Sequence, residues 1–179
     1  MKPIEQHLTQ YAAYHRDRRN IATHFVGIPM IVFSVVLAME TLSWSVAGWA
    51  VSGAAVVAIA SSLYYLRLDR ALGIAMAVTL FLMCAAASEL EPRLGAGATL
   101  WTALAIFVVG WVLQFWGHKF EGMKPAFFDD VMGLAIGPLF ICAEAFFIFG
   151  AKAALRRHIE ERVGPVVARR THAADPATR

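Results

Sequence analysis

Charged residues are scarce in this chain of 179 residues: they make up 16% of it, whereas 59% are hydrophobic. Soluble domains carry about 25% charged and roughly 45–50% apolar residues. So few polar side chains cannot cover the surface of a soluble enzyme, and the composition also excludes a disordered chain. The net charge is only +3, with basic residues at the ends and in short connections, which is typical of membrane topology. We therefore expect a membrane protein with no nucleic-acid partner.

Several signatures of enzyme chemistry are missing. The sequence contains no P-loop, no GxGxxG after a strand, no GxSxG and no HExxH. Its six histidines form no HxxH or HxxxH pair, which excludes the eight-histidine arrangement of di-iron membrane desaturases. The two cysteines, Cys84 and Cys142, lie in apolar runs, so we expect no disulfide. The polar segment 1–20 is unlike a signal peptide, and the first apolar run is predicted to be a retained anchor.

Long apolar runs are what the sequence has instead. Four runs lack Asp, Glu, Lys and Arg, and each is near the ~20 residues that cross a bilayer as a helix. These runs are 21–39, 41–66, 71–88 and 94–118. A fifth run, 131–151, contains Gly137-Pro138 and Glu144. We predict that the fifth run is a broken or re-entrant helix hinged at Gly137-Pro138, with a crossing helix as the alternative.

The predicted fold is all-α. It is a polytopic membrane helical bundle of four to five hydrophobic helices, preceded by a short N-terminal helix at 3–16. We expect one catalytic domain over residues 1–155. A basic, partly disordered tail follows at 156–179, beginning as a surface helix that ends near Gly164-Pro165.

Histidines from distant parts of the sequence are predicted to meet. The basic residues put the N-terminus and the end of the fourth run on the cytoplasmic side. His15 and His24 bracket the entry of the first run, and His118 lies at the exit of the fourth. These residues should therefore reach the same depth at one membrane face. Imidazole and carboxylate side chains suit iron or zinc, so His15, His24, His118 and Glu121 are predicted to form a metal site.

The polar neighbours of these residues follow helical spacing. Gln114, His118 and Glu121 share one helical face, and Asn20 shares a face with His24. The alternative for each histidine alone is an interfacial residue bound to headgroups or a helix cap. Glu144 is a functional candidate because ionisable residues at membrane depth are costly, although it can also be the buried partner of an Arg or a cap.

Three motifs together resemble the membrane 2-hydroxy fatty acid dioxygenases. The first is YHRDRRNIATHFVGIP, with His15, Asn20 and His24. The second is QFWGHKFEGMKPA, with His118 and Glu121, and the third is GPLFICAE. The resemblance covers roughly residues 8–150. It implies an Fe(II) enzyme that uses O2 to convert a 2-hydroxy fatty acid into the acid one carbon shorter.

The resemblance also implies roles for the site residues. His15, His24 and His118 would bind iron, with Glu121 as a fourth ligand or as the carboxylate that orients a histidine. Asn20 and Gln114 would orient ligands or the substrate carboxylate, and Lys119 or Lys124 would pair with that carboxylate. A 2-hydroxy carboxylate can chelate a metal through two oxygens.

The expected setting is the cytoplasmic face of a bacterial inner membrane, with membrane lipid around the protein. A zinc-dependent membrane lipid hydrolase and a non-catalytic lipid-binding protein are the alternatives. The sequence does not decide the oligomeric state, and a homo-oligomer is kept open.

Overall fold

A computed structural model describes residues 2–123 and 132–167. Helices dominate this part of the chain, and a small β-hairpin interrupts them. The helices are α1 (Pro3–Ala12), α2 (Arg18–Glu40), α3 (Gly53–Leu68), α4 (Arg70–Leu94), α5 (Ala96–Glu121), α6 (Met132–Ile148) and α7 (Ala153–Val163). The hairpin strands are β1 (Ser43–Val46) and β2 (Trp49–Ser52).

Three helices, α2, α4 and α5, are long and apolar enough to cross a membrane, and α3 is a shorter apolar helix of 16 residues. Side chains at their starts fix where they begin. Asp17, Ser52 and Asp69 are the N-caps of α2, α3 and α4, and each accepts a hydrogen bond from a backbone amide of the first turn. The chain is therefore an integral membrane protein, and the predicted all-α membrane bundle is confirmed.

The prediction of one helix over 41–66 is wrong in nearly its first half, because α3 begins at Gly53. Ser43–Val46 pairs antiparallel with Trp49–Ser52. Ala47 and Gly48 join the strands with φ of 51° and 83°, as a tight two-residue hairpin turn requires. Hydropathy alone does not separate this apolar hairpin from a helix, and α3 consequently starts at Gly53.

The fifth apolar run forms a helix that does not bend where the sequence predicted. Helix α6 continues through Gly137 and Pro138, so the predicted hinge at that pair is wrong. The chain turns by 112° between α6 and α7 instead. Gly150 and Lys152 have positive φ of 76° and 57° there, which ends the helix sharply.

Residues at the end of α3 and at the start of α4 contact both the start of α6 and the link that follows α6. The Tyr65 hydroxyl donates to the carbonyl of Ala135 over 2.8 Å, at the start of α6. After α6, the ammonium of Lys152 binds the carboxylate of Asp69 over 2.6 Å. A helix of 17 residues is about 25 Å long, so α6 does not turn back on itself. The bent pair of α6 and α7 fits either a broken span or a re-entrant segment, and the prediction for the fifth run stays a prediction.

The C-terminal part of the described chain packs against its N-terminal part. Helix α7 packs against α1 and ends at Val163 with Gly164 as its C-cap, close to the predicted end of the surface helix. Beyond it, the amide of Val167 donates to the carbonyl of Arg16, and the amide of Arg18 donates to the carbonyl of Val167. The predicted boundary between residues 155 and 156 falls inside α7, and the division into domain and tail stays a prediction.

Helices α2 and α5 pack through glycines, which sets the geometry of the site. A Cβ added at Gly27 of α2 would lie 2.9 Å from the carbonyl oxygen of Gly110 on α5. One added at Gly117 would lie 2.5 Å from Oδ1 of Asn20. The glycines therefore let α2 and α5 pack closely, with the start of α2 against the end of α5.

Candidate metal centre

Three histidines from different elements meet inside the bundle. His15 lies in the link between α1 and α2, His24 in the second turn of α2, and His118 in the last turn of α5. Their exposed fractions are 1%, 1% and 6%. One ring nitrogen of each lies within 4.8 Å of the others, and Nε2 of His15 is 3.1 Å from Nε2 of His24. The predicted convergence of residues about a hundred positions apart is present in the structure.

Backbone carbonyls fix the orientation of two of the rings. Nδ1 of His15 is 2.8 Å from the carbonyl oxygen of Tyr11, and Nδ1 of His24 is 2.9 Å from that of Asn20. A carbonyl oxygen can only accept, so each Nδ1 carries the proton and each Nε2 presents a lone pair. Burial, together with the neighbouring His24, lowers the pKa of His15 well below its usual value, so this ring is neutral at pH 7.

Two neutral rings with lone pairs facing each other repel, and a cation between them removes that repulsion. Histidine nitrogens lie about 2.0–2.1 Å from a bound metal, so two of them at an angle of roughly 90–110° are about 2.8–3.4 Å apart. The observed separation of 3.1 Å falls in this range. The donor set and its spacing therefore fit a metal ion.

Glu121 stands next to the histidines but binds the protein backbone. Its Oε2 accepts hydrogen bonds from the amides of Arg16 and Asp17, at 3.0 and 2.7 Å, and from the side-chain amide of Asn20 at 3.1 Å. The group of potential ligand atoms within the described residues comprises the three histidines without Glu121. The carboxylate thereby holds the link between α1 and α2, which contains His15, against the end of α5.

A second set of buried contacts involves Arg16 and Glu144. The guanidinium of Arg16 donates to the carbonyls of Ala12, His15 and Gly164 and lies 3.7 Å from the carboxylate of Glu144. Burial lowers the pKa of Arg16, although Glu144 opposes that shift. Of the two alternatives for Glu144, the contacts match the partner of a buried Arg.

Comparison with known proteins identifies the family. The model of the Mpo1-like family, 2-hydroxy-palmitic acid dioxygenase Mpo1-like, matches residues 1–148. The chain belongs to this family. It is 29% identical over 161 residues to 2-hydroxy-palmitic acid dioxygenase MPO1 of Saccharomyces cerevisiae, covering 88% of this chain and 87% of the relative. No solved structure matches the chain.

The other predicted site residues of this Mpo1-like chain differ in their burial. Gln114 is buried and lines a cavity of about 70 Å³ together with His24 and His118. Asn20 is buried between Glu121 and the His24 ring. Lys119 is exposed to the surroundings of α5. Lys124 lies outside the described residues.

Two aromatic residues that were not predicted as site residues pack near the histidines. The Tyr11 ring stacks on His15 with centroids 4.2 Å apart and planes 3° from parallel. Phe140 of α6 lies 5.6 Å from the same ring. Tyr11 has i, i+4 spacing to His15, and Phe140 belongs to the third motif, GPLFICAE.

Proposed function

We propose that the protein is an Fe(II)-dependent dioxygenase that converts a 2-hydroxy fatty acid into the acid one carbon shorter, using O2. The observation that carries the proposal is the pair of buried Nε2 atoms 3.1 Å apart, with their Nδ1 protons turned away toward carbonyls. Membership of the Mpo1-like family supplies the substrate class and the reaction.

His15, His24 and His118 are the residues that would hold iron. When bound, Fe(II) supplies the redox chemistry with O2 that no protein side chain offers. The overall reaction balances without a reductant, because the hydroxy acid and O2 give the shorter acid, CO2 and water. The chain contains no nucleotide-binding motif, which agrees with that balance.

Glu121 is proposed as a positioning residue rather than a ligand. Its hydrogen bonds to Arg16 and Asp17 hold the link that carries His15, and its bond to Asn20 supports the carbonyl that orients His24. Such outer partners fix the ring tautomer and direction of metal-binding histidines.

Gln114 is proposed to position the substrate carboxylate. Its side chain is 5% exposed and lines the cavity beside His24 and His118. Its Nε2 has no hydrogen-bond partner within residues 2–123 and 132–167. A buried donor without a partner costs free energy that a carboxylate recovers. We expect Gln114→Leu to raise KM for the hydroxy acid with an unchanged iron content.

The site is proposed to lie at the cytoplasmic face of a bacterial inner membrane. Arg16, Arg18 and Arg19 are at the same end of the bundle as the histidines, which favours that side. This depth would let the acyl chain stay among lipid tails while the carboxylate reaches the metal. Cleavage of an N-terminal tag by protease in inside-out vesicles, but not in right-side-out vesicles, is the expected result.

The function is tested by measuring O2 uptake, CO2 and the shortened acid together in iron-loaded protein. We expect equal amounts of all three with 2-hydroxypalmitate, and their loss in His24→Ala. His7→Ala is the matched control, because His7 is not in the histidine cluster. Product formation without O2, with zinc bound, would instead identify a hydrolase. Protein that binds the acid but forms no product would identify a lipid-binding protein.

A further inference from the structure

An apolar groove lies between α2, α4 and α6. Its volume is about 350 Å³, within the range of small-molecule sites. Two prolines inside helices, Pro29 of α2 and Pro138 of α6, border it from opposite sides. Alanine and methionine side chains of α4, Ala75, Met76 and Met83, form the facing wall.

This groove continues from the cavity at the histidines. Ile28, Val32 and Pro138 line both spaces. From His24 to Val32 the distance along α2 is about 12 Å, at 1.5 Å per residue. A ligand with a polar head at His24 and His118 and an apolar chain therefore has a path from one space into the other.

We propose that this groove binds the acyl chain of the substrate and that its α4 wall sets the preferred chain length. The inference rests on the proposed function for the nature of the head group. The occupant is argued from the shared lining residues and from the apolar walls, which match a hydrocarbon chain.

A second large groove of the described residues lacks this continuity. It lies between α3 and α4, and Ser52, Ser62 and Glu40 contribute to its walls. It shares no lining residue with the cavity at His24 and His118. This second groove therefore serves as an internal control.

Each groove contains one cysteine, so thiol labelling can report its occupancy. Cys142 lines the groove beside α6, and Cys84 lines the groove between α3 and α4. The experiment uses iron-loaded protein in lipid nanodiscs and the single-cysteine variants Cys84→Ser and Cys142→Ser. The rate of alkylation by N-ethylmaleimide is measured with 2-hydroxypalmitate, with 2-hydroxybutyrate, and without ligand.

We expect 2-hydroxypalmitate to protect Cys142 alone. At a ligand concentration ten times Kd its alkylation rate should fall about tenfold. The short acid, which has the same head group but almost no chain, should leave the rate unchanged, and neither acid should affect Cys84. Equal rates for Cys142 with and without a saturating long-chain acid would overturn the proposal, as would equal protection of Cys84. Labelling does not require turnover, so failure of the proposed reaction remains distinguishable.

Bulk added to the α4 wall gives an independent measurement. Ala75→Phe should shift the optimum of kcat/KM toward shorter 2-hydroxy acids, with unchanged iron content. Ala77→Phe is the matched control, because Ala77 lines the other groove on the same helix. An unchanged chain-length profile in Ala75→Phe, or the same shift in both variants, would overturn the assignment.

Discussion

Replacing Glu121 with alanine removes the acceptor that holds the link between α1 and α2. The amides of Arg16 and Asp17 then lose the hydrogen bonds that Oε2 of Glu121 accepts. Each buried N–H group left without a partner costs roughly 1–3 kcal/mol, so the variant should lose about 2–6 kcal/mol of stability. His15 directly precedes Arg16 and Asp17 in the chain. Its Nε2 should therefore move away from that of His24, and bound iron should be lost.

The assay compares Glu121→Ala with Glu121→Gln. Glutamine retains an oxygen that can accept from both amides, and the loss of charge costs roughly 1 kcal/mol per bond. We expect both melting temperature and iron content to be lower in Glu121→Gln than in the wild type, and lowest in Glu121→Ala. Tryptophan fluorescence in detergent and elemental analysis measure these two quantities. Glu89→Ala is the control, because the ion pair of Glu89 with Arg93 is exposed. If Glu121→Ala behaved like Glu89→Ala in both measurements, the positioning role would be refuted.

Packing and pH give two further predictions. Gly27→Ala should separate α2 from α5, because its Cβ would lie 2.9 Å from the carbonyl oxygen of Gly110. We expect the free energy of unfolding to fall by about 1–3 kcal/mol and the iron content to decrease. Gly97→Ala, where an added Cβ meets nothing within 4 Å, should leave both unchanged, and equal effects in the two variants would contradict the packing account. Burial raises the pKa of Asp69, but the hydrogen bond and charge of Lys152, together with hydrogen bonds from the amides of Leu72 and Ala71, outweigh burial and leave the pKa below its usual value. The ion pair therefore stabilises the fold at neutral pH, and this stabilisation is lost as the pH falls. Asp69→Asn should lower the melting temperature at pH 7 and should have less effect near about pH 3. An equal decrease of the melting temperature at both pH values would contradict this expectation.

The part of the site that follows helical spacing could be predicted from the sequence. His24 and His118 lie at ends of long apolar runs whose charge pattern puts them at the same face, so their meeting follows from topology. Glu121 was expected as a ligand or an orienting carboxylate, and the choice between these could not be made. Its partners are the backbone amides of Arg16 and Asp17. The direction in which a backbone amide points within a link between helices cannot be predicted from the residue type.

In the fold as well, hydropathy predicted the long helices, whereas the features set by local backbone geometry were not predicted. Apolar runs located α2, α4 and α5 to within a few residues, because a membrane-spanning helix needs a minimum apolar length. The hairpin at Ser43–Ser52 and the bend after Ile148 depend on positive φ at Ala47, Gly48, Gly150 and Lys152. Glycine permits this conformation in many contexts, and alanine and lysine do not signal it, so these two features were mispredicted.

The central claim is that three imidazoles from separate elements bind one metal ion, and metal content tests it most directly. Protein purified under reducing, anaerobic conditions should contain about one iron per chain, with tetrahedral or octahedral ligation by histidine nitrogens. His15→Ala, His24→Ala and His118→Ala should each lose this iron, whereas His7→Ala should retain it. Iron retained at the wild-type level in both His24→Ala and His118→Ala would contradict the account.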